Sequence, residues 1–484
     1  MSRTFVGWPA FPRAAEHATR DEQLRANVRR ATHTIRAKRD ALVAERPDWE
    51  HLRDAAAALK DDVLAHLDTY LEQLEERVTA AGGTVHWAAD AAEANRIVTA
   101  LVRETGETEI VKVKSMLTEE IGLDSALEEA GISARETDLA ATIVQLGDDL
   151  PSHVVVPALH RNRTEIRDIF VREMGKHGRP APDGLTDDPA ELAEAARLHL
   201  REKFLQAKVA VSGANFMVAE TGTLCVVESE GNGRMCLTLA DTLISVVGIE
   251  KVVPTWRDLE IYLQMLARSA TGERMAPYTT TWTGVTDGDG PRAFHLVLVD
   301  NGRTRALADP VGRQALRCIR CGACMNICPV YERTGGHAYG SVYPGPIGAI
   351  LNPLLKGPDD PQTASLPYAS TLCGACNDVC PVRIRFTDVL LELRSDIAEG
   401  DARVKHPAEK AALKAVEQVM AHSPLWNAAV KAAGKAGVLL PPHRKLPGPL
   451  HGWTDSRALP DIPKESFRTW WKRTDGGTKD GDTE

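Results

Sequence analysis

The sequence predicts an α/β fold with a parallel or mixed sheet, entered through a helical segment and followed by a cysteine-dense region and a helical C-terminal region. Three observations predict it. Short β-branched runs alternate with helical ones between residues 83 and 305, a purely helical periodicity precedes them, and seven of the nine cysteines lie between residues 318 and 380.

Taken in order, apolar residues recur at three and four spacing from Glu22 to Val78, with Gly82 and Gly83 as a stop, so residues 1–82 read as an N-terminal segment of two helices. The alternation then begins. GTVHWA precedes DAAEANRIVTALVRETG, EIVKVKS precedes MLTEEIGLDSALEEAG, and HVVVPAL precedes RNRTEIRDIFVREMG, three strand-helix pairs. GRPAPDGLTDDP is a Pro/Gly/Asp loop before the helix AELAEAARLHLREKFLQ. Residues 208–255, KVAVSGANFMVAETGTLCVVESEGNGRMCLTLADTLISVVGIEKVVPT, read as buried strands joined by tight turns. WRDLEIYLQMLARSA returns to helix and RAFHLVLVDNGR is a last strand, which closes an α/β domain over 83–305.

The cysteine-dense domain spans 306–400. Its middle, TGGHAYGSVYPGPIGAILNPLLKGPDDPQ, is rich in Gly and Pro, as expected of a fold held by ligation more than by a large core. Residues 401–474 form a C-terminal region, helical in HPAEKAALKAVEQVMAHSPLWNAAVKAAGKAG and extended in LLPPHRKLPGPLHGW, and 475–484 a disordered tail.

Composition narrows the function. A chain that is 43% hydrophobic and 26% charged is an ordinary globular one, and a net charge of -9 argues against nucleic acid as a partner. No stretch approaches a membrane span and the N-terminus lacks an export signal, so a cytoplasmic protein is expected. Reducing surroundings turn clustered thiols toward metal or redox work. Cys225 and Cys236, in apolar stretches, read as small buried hydrophobes.

The remaining seven cysteines form two phrases, CIRCGACMNICP (318–329) and STLCGACNDVCP (370–381). The first is the C-x2-C-x2-C-x3-C-P run of bacterial-type ferredoxins, whose fourth cysteine serves the other cluster. Soft thiolates suit iron-sulfur iron, and a tight glycine-containing loop can present three of them to one cluster while its amides face the sulfurs. Crossing the ligands assigns Cys318, Cys321, Cys324 and Cys380 to cluster 1, a complete [4Fe-4S] set. Cluster 2 takes Cys328, Cys373 and Cys376. Its missing fourth ligand falls at Ser370, leaving a [4Fe-4S] cluster with Ser370, water or another side chain on the fourth iron, a [3Fe-4S] cluster, or a labile site. Zinc knuckles use four ligands, and seven cysteines with two Cys-Pro endings overshoot that number. No G-x-G-x-x-G follows a strand, so no flavin or nicotinamide site is suggested.

SGANFMVAETGTLCVVESEGNGRMCLTLADTLISVVGIEKVVPT resembles the signature of LUD domains, and VKVKSMLTEEIGL their earlier strand-to-helix loop. With the two cysteine phrases and the terminal IPKESFRTWWK, nearly the whole chain resembles the lactate-utilisation protein B family. The resemblance implies a LUD domain of the NagB/RpiA/CoA-transferase class and an α-helical ferredoxin-like domain with a long helical connection between its motifs. It further implies an electron-transfer subunit in a multi-protein system that oxidises L-lactate to pyruvate. The partners implied are a second cysteine-rich iron-sulfur protein and a smaller LUD-only protein.

The LUD loops have chemistry of their own. Lys114 and Ser115 stand after a strand at a helix start, a place suited to a carboxylate. Glycine-rich loops bring Asn215, Glu220, Thr221, Asn232 and Arg234 as polar groups, and a lactate carboxylate would pair with Arg234 or Lys114. No catalytic residue is identified. Glu250 and Lys251 read as a strand-end pair, and His153, His160 and His337 as structural, although His337 could supply the missing cluster ligand. The alternative to an electron carrier is a self-sufficient 2-hydroxy-acid dehydrogenase, or a dehydratase using an open iron at cluster 2.

Overall fold

Six parallel strands in the order β1-β10-β7-β4-β2-β3 form the central sheet of a computed structural model that describes residues 10–288, 290–357, 360, 362–399, 407–437, 454, 463 and 465–474. The strands are β1 (Thr84–Ala88), β2 (Glu109–Lys112), β3 (Ser133–Glu136), β4 (Val209–Ser212), β7 (Thr242–Gly248) and β10 (Ala293–Val299). The chain divides into two units, Met1–Val404 and Lys405–Glu484, each described by itself.

The sheet is buried on both faces, which is why its strands read as Val-rich runs. Side chains alternate between two cores. Val209, Val211, Ile244, Val246, Val297 and Val299 join one with the helices Ala91–Thr105, Met116–Ile121 and Leu123–Glu129. Ala210, Leu243, Val247, Leu296 and Leu298 join the other, which helix Leu67–Ala80 covers with Leu71, Leu74 and Val78. Register is continuous from Ala293 against Thr242 to Val299 against Gly248. A second, four-stranded sheet, β8-β5-β6-β9, is built from β5 (Phe216–Val218), β6 (Thr223–Glu228), β8 (Val252–Val253) and β9 (Tyr278–Trp282).

Several expectations need correction. The N-terminal segment holds four helices, Phe11–Ala18, Glu22–Ala44, Trp49–Ala65 and Leu67–Ala80. HVVVPAL is no strand: residues 153–159 are bends and turns, because His153 Nδ1 accepts the amides of Val155 and Val156, both at 3.1 Å, and so replaces a ladder. The predicted helix over MLTEEIGLDSALEEAG is two helices, broken where Gly122 takes φ 67°. β3 and helix Leu139–Leu146, whose cap Asp138 accepts the amide of Ala141, went unread.

The Gly/Pro-rich middle of the cysteine domain is not short of a core. Helix Gly345–Lys356 is buried from Gly345 through Leu355. It lies in the same apolar cluster as six of the seven clustered cysteines that are buried or nearly so, because helix Glu22–Ala44 packs on helices Ala323–Ile327 and Pro329–Thr334 and closes that side.

In the C-terminal unit, helices Pro407–Ala421 and Ser423–Gly437 carry the predicted helical stretch, and Ser466 caps a third, Phe467–Arg473, by accepting the Thr469 amide. LLPPHRKLPGPLHGW and the tail 475–484 lie outside the described residues.

Candidate iron-sulfur centre

The two cysteine phrases fold into loops of the same backbone form. In the first, Arg320 and Gly322 take φ of 61° and 75°; in the second, Leu372 and Gly374 take 55° and 82°. Each loop opens into a one-turn helix, Ala323–Ile327 or Ala375–Val379, and ends at a cysteine followed by proline. The Arg320 amide donates to Cys318 Sγ at 3.4 Å, and the Leu372 amide donates to Ser370 Oγ at 3.1 Å. Ser370 therefore occupies the place in its loop that Cys318 occupies in the other. Arg320 and Leu372 are side-chain-bearing residues in a left-handed conformation that costs about 1–3 kcal/mol each, a strain the loops accept to aim their first residue.

The loops bring the cysteines into two neighbouring sets. Cys318, Cys321, Cys324 and Cys380 line one small cavity with Ile319, Ile347 and Phe386. Burial pushes Cys321 up to about 12 and Cys380 to about 11, with Cys318 as a neighbouring charge of both. Cys376 is pushed up to about 12 by burial and by its neighbours Cys328 and Cys373. Cys324 adjoins Cys318, Cys321 and Cys380 within its own set and Cys376 of the other. Cys373 is exposed, whereas Cys321, Cys324, Cys328, Cys376 and Cys380 are buried and no disulfide joins any of them.

The donor set fits iron-sulfur ligation. Buried thiols in apolar walls stay protonated unless a metal supplies positive charge, and a coordinated thiol is deprotonated outright. Backbone amides already face sulfur: Tyr331 N donates to Cys328 at 3.5 Å and Ile384 N to Cys380 at 3.4 Å. Tyr339 adds a second sign, because its buried hydroxyl has no hydrogen-bond partner among the described residues and the ring stands beside Cys328, Cys324 and Cys376. An orphan donor at that spot has a ready acceptor once sulfur is ionised.

Arginines far away in sequence hold the second loop. Arg53 donates to the carbonyls of Cys380 at 2.9 Å and Asn377 at 3.0 Å, and Arg39 donates to that of Val379 at 2.9 Å. Neither was a sequence candidate. An arginine in an amphipathic helix carries no signal that its partner is a carbonyl of a metal loop.

The LUD cavity lies at the C-terminal ends of the parallel strands, where open α/β sheets bind ligands. It has a volume of about 250 Å³ and includes Lys114, Ser115, Asn215 and Asn232 of the predicted set. Lys114 donates to the Val155 carbonyl at 2.8 Å, and Asn215 accepts the Val227 amide at 2.8 Å. Gly213 packs closely here: a Cβ would stand 2.6 Å from Ser115 Oγ. Glu220, Thr221 and Arg234 lie elsewhere. Glu220 receives the Trp256 amide at 3.3 Å, Thr221 bonds Thr223 at 2.8 Å, and Arg234 is exposed with its guanidinium over the Tyr278 ring. They are polar because they serve a helix start, a turn and the surface.

Glu250 and Lys251, read as a strand-end pair, also line this cavity. They are no ion pair: Glu250 meets Arg303 Nε at 2.6 Å and Arg320 Nη2 at 3.4 Å. Arg303 also meets Glu120 at 2.9 Å, and Tyr343 donates to Glu120 at 2.6 Å. Though burial raises the Glu250 carboxyl, its arginines win and hold it at about 2. His153 is buried against the first cysteine loop, its Nε2 on Asn326 at 3.2 Å, and burial lowers it to about 4. His160 bonds Ser152 and Asp149, both at 2.8 Å, and His337 bonds the Leu150 carbonyl at 2.8 Å. Cys225 and Cys236 are buried, as expected of small apolar residues.

Cysteine loops of this form beside a parallel α/β sheet define an iron-sulfur electron-transport protein built on a LUD domain. Family comparison agrees by region: a LUD domain matches residues 71–299, a 4Fe-4S dicluster domain 314–384, and the lactate utilisation protein B C-terminal family 393–475. The chain belongs to the lactate utilization protein B family. It is 43% identical to lactate utilization protein B of Macrococcus caseolyticus, covering 96% of this chain and 97% of the relative, and 42% identical to that of Oceanobacillus iheyensis, covering 98% of both. It is also 44% identical, over 94% of each chain, to the uncharacterized electron transport protein YkgF of Escherichia coli. A crystal structure of a DUF162 family protein from Deinococcus radiodurans matches 48% of this chain and 98% of its own at 16% identity, with a TM-score of 0.27. Among the described residues, no helix is long and apolar enough to cross a membrane.

Proposed function

We propose that this protein is the electron-carrying component of a multi-protein system that oxidises L-lactate to pyruvate, with a second cysteine-rich iron-sulfur protein and a smaller LUD-only protein as partners. One observation carries the reading: two adjoining cysteine sets, one lining a single small cavity and one with Cys373 exposed. Bound iron-sulfur clusters would supply reversible one-electron chemistry. Cys318, Cys321, Cys324 and Cys380 would hold a [4Fe-4S] cluster. Cys328, Cys373 and Cys376 would hold the second, [4Fe-4S] or [3Fe-4S], with Ser370 as candidate fourth ligand. The chain's own part is to aim these donors, to turn amides toward their sulfurs and to keep water from the inner set. The LUD sheet is read as of the NagB/RpiA/CoA-transferase class, and the protein as cytoplasmic.

Iron analysis with EPR of anaerobically purified protein tests this. The expected result is about eight irons, or about seven with a paramagnetic signal in the oxidised sample if the second cluster is [3Fe-4S]. Lactate oxidation should need the partner proteins. Turnover by the single chain with an artificial acceptor would instead favour a self-sufficient dehydrogenase.

A further inference from the structure

Two tyrosines of the cysteine domain are buried side by side, and only one of them is satisfied. Tyr331 and Tyr339 are 0% and 2% exposed, with ring centroids 6.5 Å apart. Tyr331 donates its hydroxyl to the Ser152 carbonyl at 2.7 Å. Tyr339 ends the turn His337–Tyr339, where its amide donates to the Gly336 carbonyl at 3.0 Å and its ring packs on Phe11 at 4.9 Å between centroids. So fixed, its hydroxyl finds no acceptor among the described residues. A buried hydroxyl without an acceptor is costly, and its place calls for a reason. The thiols beside its ring are Cys328, Cys324 and Cys376, two of them from the second set.

That set is the one less well supplied with positive charge. Arg39 stands beside Cys321, Arg53 beside Cys380 and Arg320 beside Cys318, all in the first set. The charged side chain beside Cys328 is a carboxylate, Glu332. Backbone amides follow the same division. Those of Arg320 and Ile384 donate to Cys318 and Cys380, whereas the Leu372 amide is spent on Ser370 and the Tyr331 amide reaches Cys328. A reduced cluster carries one more negative charge than an oxidised one, so nearby cations and donors stabilise the reduced form and raise the potential. By that rule the first cluster is favoured, and an electron on it would face an uphill step to the second.

We propose that the Tyr339 hydroxyl donates to sulfur of the second set and raises that cluster's reduction potential toward that of the first. The inference rests on the electron-carrying reading and adds how an electron leaves the arginine-flanked set for the one whose Cys373 is exposed. No bond forms or breaks: the electron moves, and the proton stays on the phenol oxygen.

Redox titration of the anaerobically purified, iron-loaded full chain, followed by EPR, tests it. Tyr339→Phe removes one oxygen and keeps the ring on Phe11, so iron content and visible absorbance should stay as they are. The midpoint of the second cluster should move to a more negative value, and by more than that of the first. A second readout needs no variant. Protein grown with ring-fluorinated tyrosine, whose phenol is the stronger acid and donor, should show the second midpoint moved to a more positive value with the first left in place. A second midpoint that stays still in either experiment, or moves in the opposite sense, overturns the inference and leaves the electron-carrying reading intact. Protein that holds no pair of clusters overturns that reading, and this inference with it.

Discussion

Ser370 differs from Cys318 by one atom type in an otherwise shared posture. Both accept an amide from two residues on, and both precede a residue forced into positive φ. A serine merely filling a turn would not need the strained Leu372 behind it. Substituting Ser370→Cys should therefore change the EPR signal of the second cluster and leave that of the first unaltered. A change in both signals would show that the ligand sets are not partitioned as proposed. The residues beside it also show what a sequence conceals. Cys-x2-Cys spacing is local and was legible, whereas Arg39 and Arg53 are separated from their carbonyl partners by 340 and 327 positions. Lys251 was misread because a Glu-Lys neighbour pair suggests mutual pairing, and only the fold reveals that Arg303 takes the carboxylate.

At the level of elements, the parallel strands β1, β2, β4, β7 and β10 were readable, whereas β3 and the segment HVVVPAL that follows it were not. β7 and β10 are continuous apolar runs because both faces of their sheet are covered. HVVVPAL has the same composition for a different reason: its valines form the wall against which the first cysteine loop rests. A Cβ on Gly322 would stand 3.2 Å from His153 Cε1 and 3.3 Å from a methyl of both Val154 and Val155, at a φ of 75°. Gly322→Ala should cost about 1–2 kcal/mol in backbone conformation alone, with further loss as the wall shifts. Expected are a lower melting temperature and reduced iron in the first set, by calorimetry and iron assay. Undiminished iron would mean that the loop does not depend on this wall.

For the molecule as a whole, the cysteine sets belong to the core that joins the N-terminal helices to the cysteine domain. Anything that binds the folded state and not the unfolded one adds to stability, and ligated metal does so while holding ionised thiols that burial otherwise forbids. Chelating the iron should lower the calorimetric midpoint of the Met1–Val404 unit, and restoring iron and sulfide should recover it. An unchanged midpoint would show that apolar packing alone carries this unit. The domain limits read from composition separated the helical entry from the metal region, although the two share one core. Composition reports what a segment is made of, and contacts between segments far apart in sequence decide what it belongs to.

The unequal exposure of the two sets has a consequence for how the molecule wears. Cys373 of the outer set is exposed, whereas in the inner set Cys321, Cys324 and Cys380 are buried and Cys318 is half-buried, so dioxygen is expected to reach the outer set first. In air the chain would pass through a half-corroded form in which the outer set is oxidised while the inner set and the fold are kept.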